Sequence, residues 1–134
     1  MDGDIRLLWD HKDEWRRRAN DFTVTVTRHM AEPSSFDPSK GQHRWAVYAY
    51  IYPRHRLFEG FSGDSLWQPA ALNLPLHGGP SLLKWHVGDD GKPASVQVGA
   101  DYDHLHDERF SHYATADDAV EVFRDAQNLF DWLI

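Results

Sequence analysis

The 134-residue sequence contains no cysteine. Disulfide-stapled scaffolds, thiolate zinc sites and cysteine nucleophiles are therefore excluded. The sequence also lacks an apolar run as long as a membrane span, and its N-terminus has no positively charged segment followed by an apolar one. We therefore expect a cytoplasmic protein without a membrane partner.

Several catalytic signatures are missing as well. The sequence has no phosphate-binding loop, no dinucleotide fingerprint, no Gly-x-Ser-x-Gly elbow and none of the established His-based zinc motifs. Nucleotide cofactors and a serine nucleophile are therefore disfavoured. On these grounds the sequence assigns no catalytic residue, and it favours a non-enzymatic role over an enzymatic one.

What the sequence does contain is ample core material. Hydrophobic residues make up 41% and aromatic residues 13%, with six tryptophans. This length and composition predict a single domain over residues 1–134. The formal charge is −7, and from residue 61 onward four Lys/Arg stand against twelve Asp/Glu. Such acidity disfavours direct nucleic-acid binding and favours a partner protein with a basic surface.

Hydrophobic periodicity predicts an α+β domain. We expect an N-terminal helix over residues 5–19 and a longer C-terminal helix over 116–134, where apolar residues recur at helical spacing. Alternation predicts strands over 22–29 and 43–52, and a hairpin is expected over 82–102. Together these elements form an antiparallel sheet of about four strands, packed by the C-terminal helix and the shorter N-terminal helix.

Three tyrosines share one face of the second predicted strand. Tyr48, Tyr50 and Tyr52 alternate with small and branched apolar residues, so both faces of the strand carry large apolar surface. Such a strand is either central and covered on both sides, or it exposes its tyrosines to a ligand or partner. The tyrosine face is the best candidate for a binding surface, and a homodimer through this strand is a further option.

The predicted C-terminal helix begins with acidic residues. Thr115 is a good N-cap with Asp118 three residues later, and Asp117 and Glu121 also lie in the first turns. Their negative charges suit a helix N-terminus. Asp117, Asp118 and Glu121 therefore form a second candidate binding surface, for a basic partner, and the alternative is that they serve only solvation.

A central stretch, residues 74–113, contains five of the nine histidines. Within it, turn residues 88–93 separate two strand-like runs. An antiparallel register through this turn places Lys84 opposite Gln97. The same register brings His77, before the first strand, toward the polar residues that follow the second strand.

His77, Asp101, His104 and Asp107 form the sharpest candidate metal site. Neutral imidazole and carboxylate are ligands for Zn²⁺, Mn²⁺ or Fe²⁺, and three ligands leave a position for water. Positions 101, 104 and 107 share a face only if their segment turns helically. The alternative is that these side chains fasten the strand end through backbone hydrogen bonds, which is the usual role of polar clusters at loop ends.

The turn His77-Gly78-Gly79 is followed by a strand and then by the segment Gly-Ala-Asp-Tyr-Asp-His-Leu-His-Asp at residues 99–107. In these residues the chain resembles a family of small bacteriophage and prophage proteins. That family carries a His-Gly-Gly turn and a downstream Gly-x-Asp-x-x-His-x-x-Asp segment. The resemblance implies a phage or mobile-element origin and a location in the cytoplasm of a bacterial host, but no particular reaction.

Two functional hypotheses follow from these observations. Small phage proteins without catalytic signatures often act by binding a host protein. The first hypothesis is therefore a protein that binds a host protein, as an inhibitor of a host defence system, through its acidic second half or its tyrosine face. The second is a metal-dependent hydrolase or metal-binding protein that uses the central His/Asp cluster.

Overall fold

Strands with alternating side chains dominate the structure. The computed structural model describes residues 4–11, 13–33 and 35–134. Within these ranges, six antiparallel strands form one sheet in the order β1-β2-β3-β4-β6-β5. The strands are β1 (Asp10–His11), β2 (Glu14–Arg18), β3 (Phe22–Met30), β4 (His43–Ile51), β5 (Leu82–Val87) and β6 (Pro93–Asp101). The predicted α+β class is confirmed.

Helical segments are short apart from one. The helix α2 spans Val120–Leu133, and α1 is a single turn over Pro69–Leu72. Three 3-10 turns cover Ile5–Leu8, Phe58–Gly60 and Glu108–His112. In the part of the chain that the structure describes, no helix combines the length and the apolar character needed to cross a membrane.

The predicted capping interaction is formed, but it lies in the turns before α2, whose N-cap is Ala119 and has no side-chain hydrogen bond. The backbone N–H of Asp118 donates to Thr115 Oγ1, and the N–H of Thr115 donates to Asp118 Oδ2, both at 3.2 Å. This is the reciprocal capping box that the sequence predicts. Residues 116–119 form turns, so the regular α-helix begins at Val120 rather than at residue 116.

The hairpin has the predicted register. Lys84 lies opposite Gln97, and Leu82 lies opposite Gly99. An irregularity between His86 and Val87 shifts the pairing next to the turn. On its other side β6 pairs with β4, which makes these two strands central in the sheet.

One face of the sheet carries the hydrophobic core. The inward residues of β3, β4 and β6 pack beneath α2, and each such large side chain contributes about 1.5–3 kcal/mol when it is fully buried. On the helix side the buried residues recur at helical spacing. They are Val122, Phe123, Ala126, Leu129, Phe130 and Leu133.

The N-terminal segment differs from the prediction. Of the helix expected over residues 5–19, only Ile5–Leu8 is helical, as a 3-10 turn, and Glu14–Arg18 is the strand β2. Trp15 stacks on Trp45 with ring centroids 5.5 Å apart, and the Arg17 guanidinium lies 4.1 Å from the centroid of the Phe130 ring. These contacts alternate along β2, because Trp15 and Arg17 face the core while their neighbours face away.

No helix formed by the residues that the structure describes covers the opposite face of the sheet. In the described residues α2 and the 3-10 turn Glu108–His112 contact the sheet from the core side, and the segment around α1 also packs against the core cluster. The uncovered face carries threonines of β3, tyrosines of β4 and polar residues of β5 and β6. On this face Tyr48, Tyr50 and Tyr52 are neither fully covered nor fully exposed, because each is partly buried.

Candidate functional site

The candidate metal residues flank the β5–β6 hairpin and meet at one end of it. His77 Nε2 lies 3.0 Å and 2.9 Å from the two carboxylate oxygens of Asp107. His104 Nδ1 lies 3.3 Å from Asp107 Oδ2. One ligand atom from each of these three residues lies within 4.8 Å of the other two. The register that the sequence predicts is the reason that residues 30 positions apart make contact.

Asp107 is the centre of this cluster. Its side chain is 8% exposed, and its Oδ2 also accepts a 2.9 Å hydrogen bond from the backbone N–H of His104. Burial acts to raise the pKa of Asp107, but the hydrogen bonds from the His104 backbone and from His77 outweigh it, so the pKa lies below its ordinary value. The carboxylate is therefore ionised at neutral pH.

Aromatic rings hold His77 in place. The His77 ring stacks on Tyr102 with centroids 4.3 Å apart and an interplanar angle of 12°, and Phe110 approaches its edge at 5.3 Å. Tyr102 is buried, and its hydroxyl donates a 2.6 Å hydrogen bond to Asp125 of α2. Burial, and then this hydrogen bond, raise the pKa of Tyr102 far above its ordinary value. The orientation of the His77 ring is thus fixed by Tyr102, which is itself hydrogen-bonded to α2.

Backbone shape brings His104 to the cluster. Gly78 has φ 71°, and a Cβ at that position would lie 3.1–3.2 Å from three atoms of the His104 ring. A side chain is therefore disfavoured there both by the left-handed backbone and by the imidazole. His106 also has a positive φ, 71°, in the turn that leads to Asp107.

Asp101 lies next to the three converging residues. Its Oδ1 is 3.6 Å from His104 Nδ1, and the same oxygen accepts the backbone N–H of Asp103 at 3.2 Å. Its side chain is 49% exposed. The structure therefore brings His77, His104 and Asp107 into one group and places Asp101 at its edge.

The spacing of the ligand atoms suits a transition metal. Tetrahedral Zn²⁺ with bonds near 2.0–2.1 Å separates its ligand atoms by about 3.3 Å. The His77–Asp107 and His104–Asp107 separations are 2.9 Å and 3.3 Å. Two imidazoles and a carboxylate form a typical set for Zn²⁺, Mn²⁺ or Fe²⁺ and leave at least one position open.

Tyr48, Tyr50 and Tyr52 lie on the uncovered face, and each is partly buried. Tyr48 lies opposite Gly99, and its ring occupies the space that a Cβ of residue 99 would need. The Tyr50 ring lies 5.7 Å from that of His86, and the Tyr52 hydroxyl shares a 2.7 Å hydrogen bond with a threonine of β3. Burial raises the pKa of both Tyr48 and Tyr50. The three rings therefore lie against the sheet.

The acidic residues of the second candidate surface do not act together. Asp117 pairs with Arg6 at 2.5 Å, and Asp118 belongs to the capping box. Glu121 accepts hydrogen bonds from Arg109 at 2.8 Å and from Tyr113 at 2.7 Å, which lower the pKa of Glu121. Each carboxylate thus has its own local partner.

Two residues of the central cluster escaped the sequence reasoning. The sequence patterns assign no role to Tyr102 or Phe110 at this site, and both contact the His77 ring. The one available signal was the position of Tyr102, directly after Asp101 at the end of a strand. The support from Asp125 is a long-range contact that local spacing does not reveal.

Comparison with known proteins adds no relative. No family model, no curated protein and no solved structure matches this chain. The functional argument therefore rests on the chain's own residues.

Proposed function

We propose that this protein binds one divalent transition-metal ion through His77, His104 and Asp107, and that its function depends on that ion. The observation that carries the proposal is the convergence of one ligand atom from each residue within 4.8 Å. Asp101, whose Oδ1 is 3.6 Å from His104 Nδ1, is the fourth candidate ligand. Zn²⁺ fits a set of two imidazoles and carboxylate best, with Mn²⁺ and Fe²⁺ as the other candidates.

Fastening of the chain explains only part of this geometry. Asp107 already ties the loop through the backbone N–H of His104 at 2.9 Å and through His77 at 2.9 Å. The ring of His104 adds a further and longer contact, with its Nδ1 3.3 Å from the same oxygen. Two imidazoles directed at one carboxylate oxygen bring three ligand atoms within 4.8 Å of one another, which suits a shared cation.

The surroundings fit the usual support of a metal site. Groups behind the ligands normally fix their orientation, and the loss of such a group commonly weakens metal binding 10- to 100-fold. Here Tyr102 and Phe110 fix the ring of His77, and the His104 N–H fixes the carboxylate of Asp107. A bound metal with an open position would supply an acidified water, which is the chemistry of the hydrolase alternative.

The decisive experiment is elemental analysis of the purified protein and of matched variants. We expect about one metal per chain in the wild type, or after incubation with Zn²⁺ or Mn²⁺, and none in His104→Ala. The matched control is His86→Ala, because His86 lies in the same stretch but bonds Gln97 on the uncovered face at 2.8 Å. Circular dichroism checks that each variant is folded.

The control variant makes the result interpretable. Loss of metal from His104→Ala and Asp107→Asn, with retention in His86→Ala, supports the site. A wild type that takes up no Zn²⁺, Mn²⁺ or Fe²⁺, or equal uptake by all variants, contradicts it and leaves the cluster with a fastening role.

A second candidate function is binding of a host protein, and the uncovered sheet face favours it. Tyrosine is enriched at the centres of protein interfaces, and partly exposed aromatic surface marks interaction sites. Tyr48 and Tyr50 lie there on the central strand β4, and Tyr52 directly follows its last residue. The acidic carboxylates contribute less to this argument, because local partners already bind them.

Single substitutions distinguish the tyrosine face from the acidic residues as the surface that binds a host protein. We expect Tyr50→Ser to abolish capture of a host protein, while Asp117→Asn leaves it unchanged. Analytical ultracentrifugation of the same variants tests the homodimer. Capture that is lost in Asp117→Asn and kept in Tyr50→Ser would move the interface to the acidic residues.

A further inference from the structure

A cavity of about 560 Å³ shares no lining residue with the metal cluster or the tyrosine face. It is bounded by the N-terminal 3-10 turn, by β2 and β3, and by the turns that precede α2. Its walls include Arg6, Trp9, Trp15, Arg28, Thr115 and Asp117. Two guanidinium groups, two indoles, a hydroxyl and one carboxylate thus surround one space.

Two buried nitrogen atoms in this wall have no hydrogen-bond partner. Among the described residues these are Trp9 Nε1 and Arg28 Nε. Trp9 is only 5% exposed. A buried N–H without an acceptor is costly, and native proteins provide such groups with an acceptor, a water or a ligand. These buried N–H groups therefore require a hydrogen-bond acceptor.

All of these unpaired groups are donors, and this restricts the ligand. Indole and guanidinium nitrogens carry protons and accept nothing. The Thr115 hydroxyl accepts the N–H of Asp118, so its own proton remains to be donated. A group with several acceptor oxygens and no protons matches such a wall.

The electric field in the cavity favours a negative charge. Thr115, Ala116 and Asp117 line the cavity in the turns that precede α2, and the nearer end of that helix is its positive N-terminal end. The guanidinium side chains of Arg6 and Arg28 are 23% and 26% exposed, whereas the opposing carboxylates of Asp117 and Asp13 are 87% and 88% exposed. Arg6 also donates two hydrogen bonds to Asp4, so Arg28 is the cation whose counter-charge lies in solvent, where salt screens it.

We propose that this cavity binds a small oxyanion, a carboxylate or a phosphate group, with Trp9, Arg28 and Thr115 as its donors. Asp117 forms an ion pair with Arg6 at the cavity wall, so its carboxylate competes with the ligand for that positive charge. The site is independent of the metal cluster, since the two share no residue.

Isothermal titration with inorganic phosphate and with acetate tests the proposal and separates the two chemistries. Trp9→Phe keeps an aromatic ring and removes only the indole N–H, so we expect its affinity for the preferred ion to fall about tenfold. Asp117→Asn removes the competitor from an exposed position, so affinity should rise. Arg18→Met, on the outer face of β2, is the control and should leave affinity unchanged.

The two variants move in opposite directions, and this protects the test against a trivial loss of folding. Weaker binding in Trp9→Phe together with tighter binding in Asp117→Asn supports an oxyanion site. Absence of binding by both probes, or equal affinities in wild type and Trp9→Phe, would overturn it and assign the space to water. His104→Ala should bind the ion as the wild type does, because failure of the metal site leaves this cavity intact.

Discussion

Two polar groups that look alike in the sequence differ in the structure. The residues His77, His104 and Asp107 direct their atoms toward one another, with Asp107 only 7% exposed. Asp117 and Glu121 instead pair outward with Arg6 and Arg109 at the protein surface. A polar cluster is a candidate site when its members converge, whereas carboxylates with separate local partners contribute to structure and solubility.

The largest expected effect follows from removing the centre of the converging group. Asp107→Ala leaves the partly buried His104 N–H and the His77 ring without their acceptor. We expect the free energy of unfolding to fall by about 3 kcal/mol, since breaking a buried charged hydrogen-bond network is among the costliest substitutions. Urea denaturation of the metal-free protein measures it. If Asp107→Ala lowered the free energy of unfolding no more than Asp117→Ala does, the converging cluster and the surface carboxylates would not differ in their contribution to stability.

A smaller effect is expected where the backbone shapes the cluster. Gly78→Ala places a methyl group against the His104 ring at a residue with φ 71°. We expect a loss of about 1–2 kcal/mol of stability, with weaker metal uptake. Gly63→Ala is a matched control, because Gly63 has φ 63° but nothing lies within 4 Å of its added Cβ. Equal metal uptake by Gly78→Ala and Gly63→Ala would show that the turn at Gly78 does not contribute to metal binding.

The pH dependence of stability sharpens the same contrast. The pKa of Asp107 lies below its ordinary value, so its ionised form stabilises the folded state. This contribution is fully present above the unfolded pKa of about 4 and is lost as pH falls through the lowered folded pKa. We expect the metal-free wild type to lose stability more steeply than Asp107→Asn below about pH 4. Parallel curves in acid titrations of both proteins would contradict this assignment.

The smallest effect is expected from the surface pairs. Arg109 and Glu121 have side chains 55% and 43% exposed. Glu121→Gln should therefore change the free energy of unfolding by roughly 0.5 kcal/mol or less, and less still in high salt. Thermal melts at two salt concentrations measure it. A loss of stability as large as that of Asp107→Ala would mean that the Arg109–Glu121 pair is energetically coupled to the rest of the fold.

Much of the fold follows from local patterns, and the failure at the N-terminus has a physical cause. Strands β3 and β4, the hairpin and α2 follow from alternation, turn residues and helical spacing. The segment Glu14–Arg18 is rich in residues with good helix propensity, which favoured a helix. Stacking of Trp15 on Trp45 and of Arg17 on Phe130 outweighs that propensity. Such contacts join distant parts of the chain and leave no local pattern.

The candidate site was also only partly predictable from local patterns in the sequence. The hairpin register brings His77 near the residues after β6, and this part of the argument needs only short-range pairing. The packing of His77 on Tyr102, and the link from Tyr102 to Asp125, depends on how α2 lies over the sheet. The uncovered face could not be predicted either, because the tyrosine pattern of β4 is the same whether or not a layer covers it.

The contact between His77 and Asp107 also has a consequence for chain topology. These residues are 30 positions apart, and everything between them is the hairpin and its approaches. A metal held by both would act as a cross-link that closes this loop, and loop-closure entropy for that length amounts to about 3–4 kcal/mol. A chain without cysteine would thereby gain a reversible staple. The rigidity of its hairpin would then follow the concentration of free metal around it.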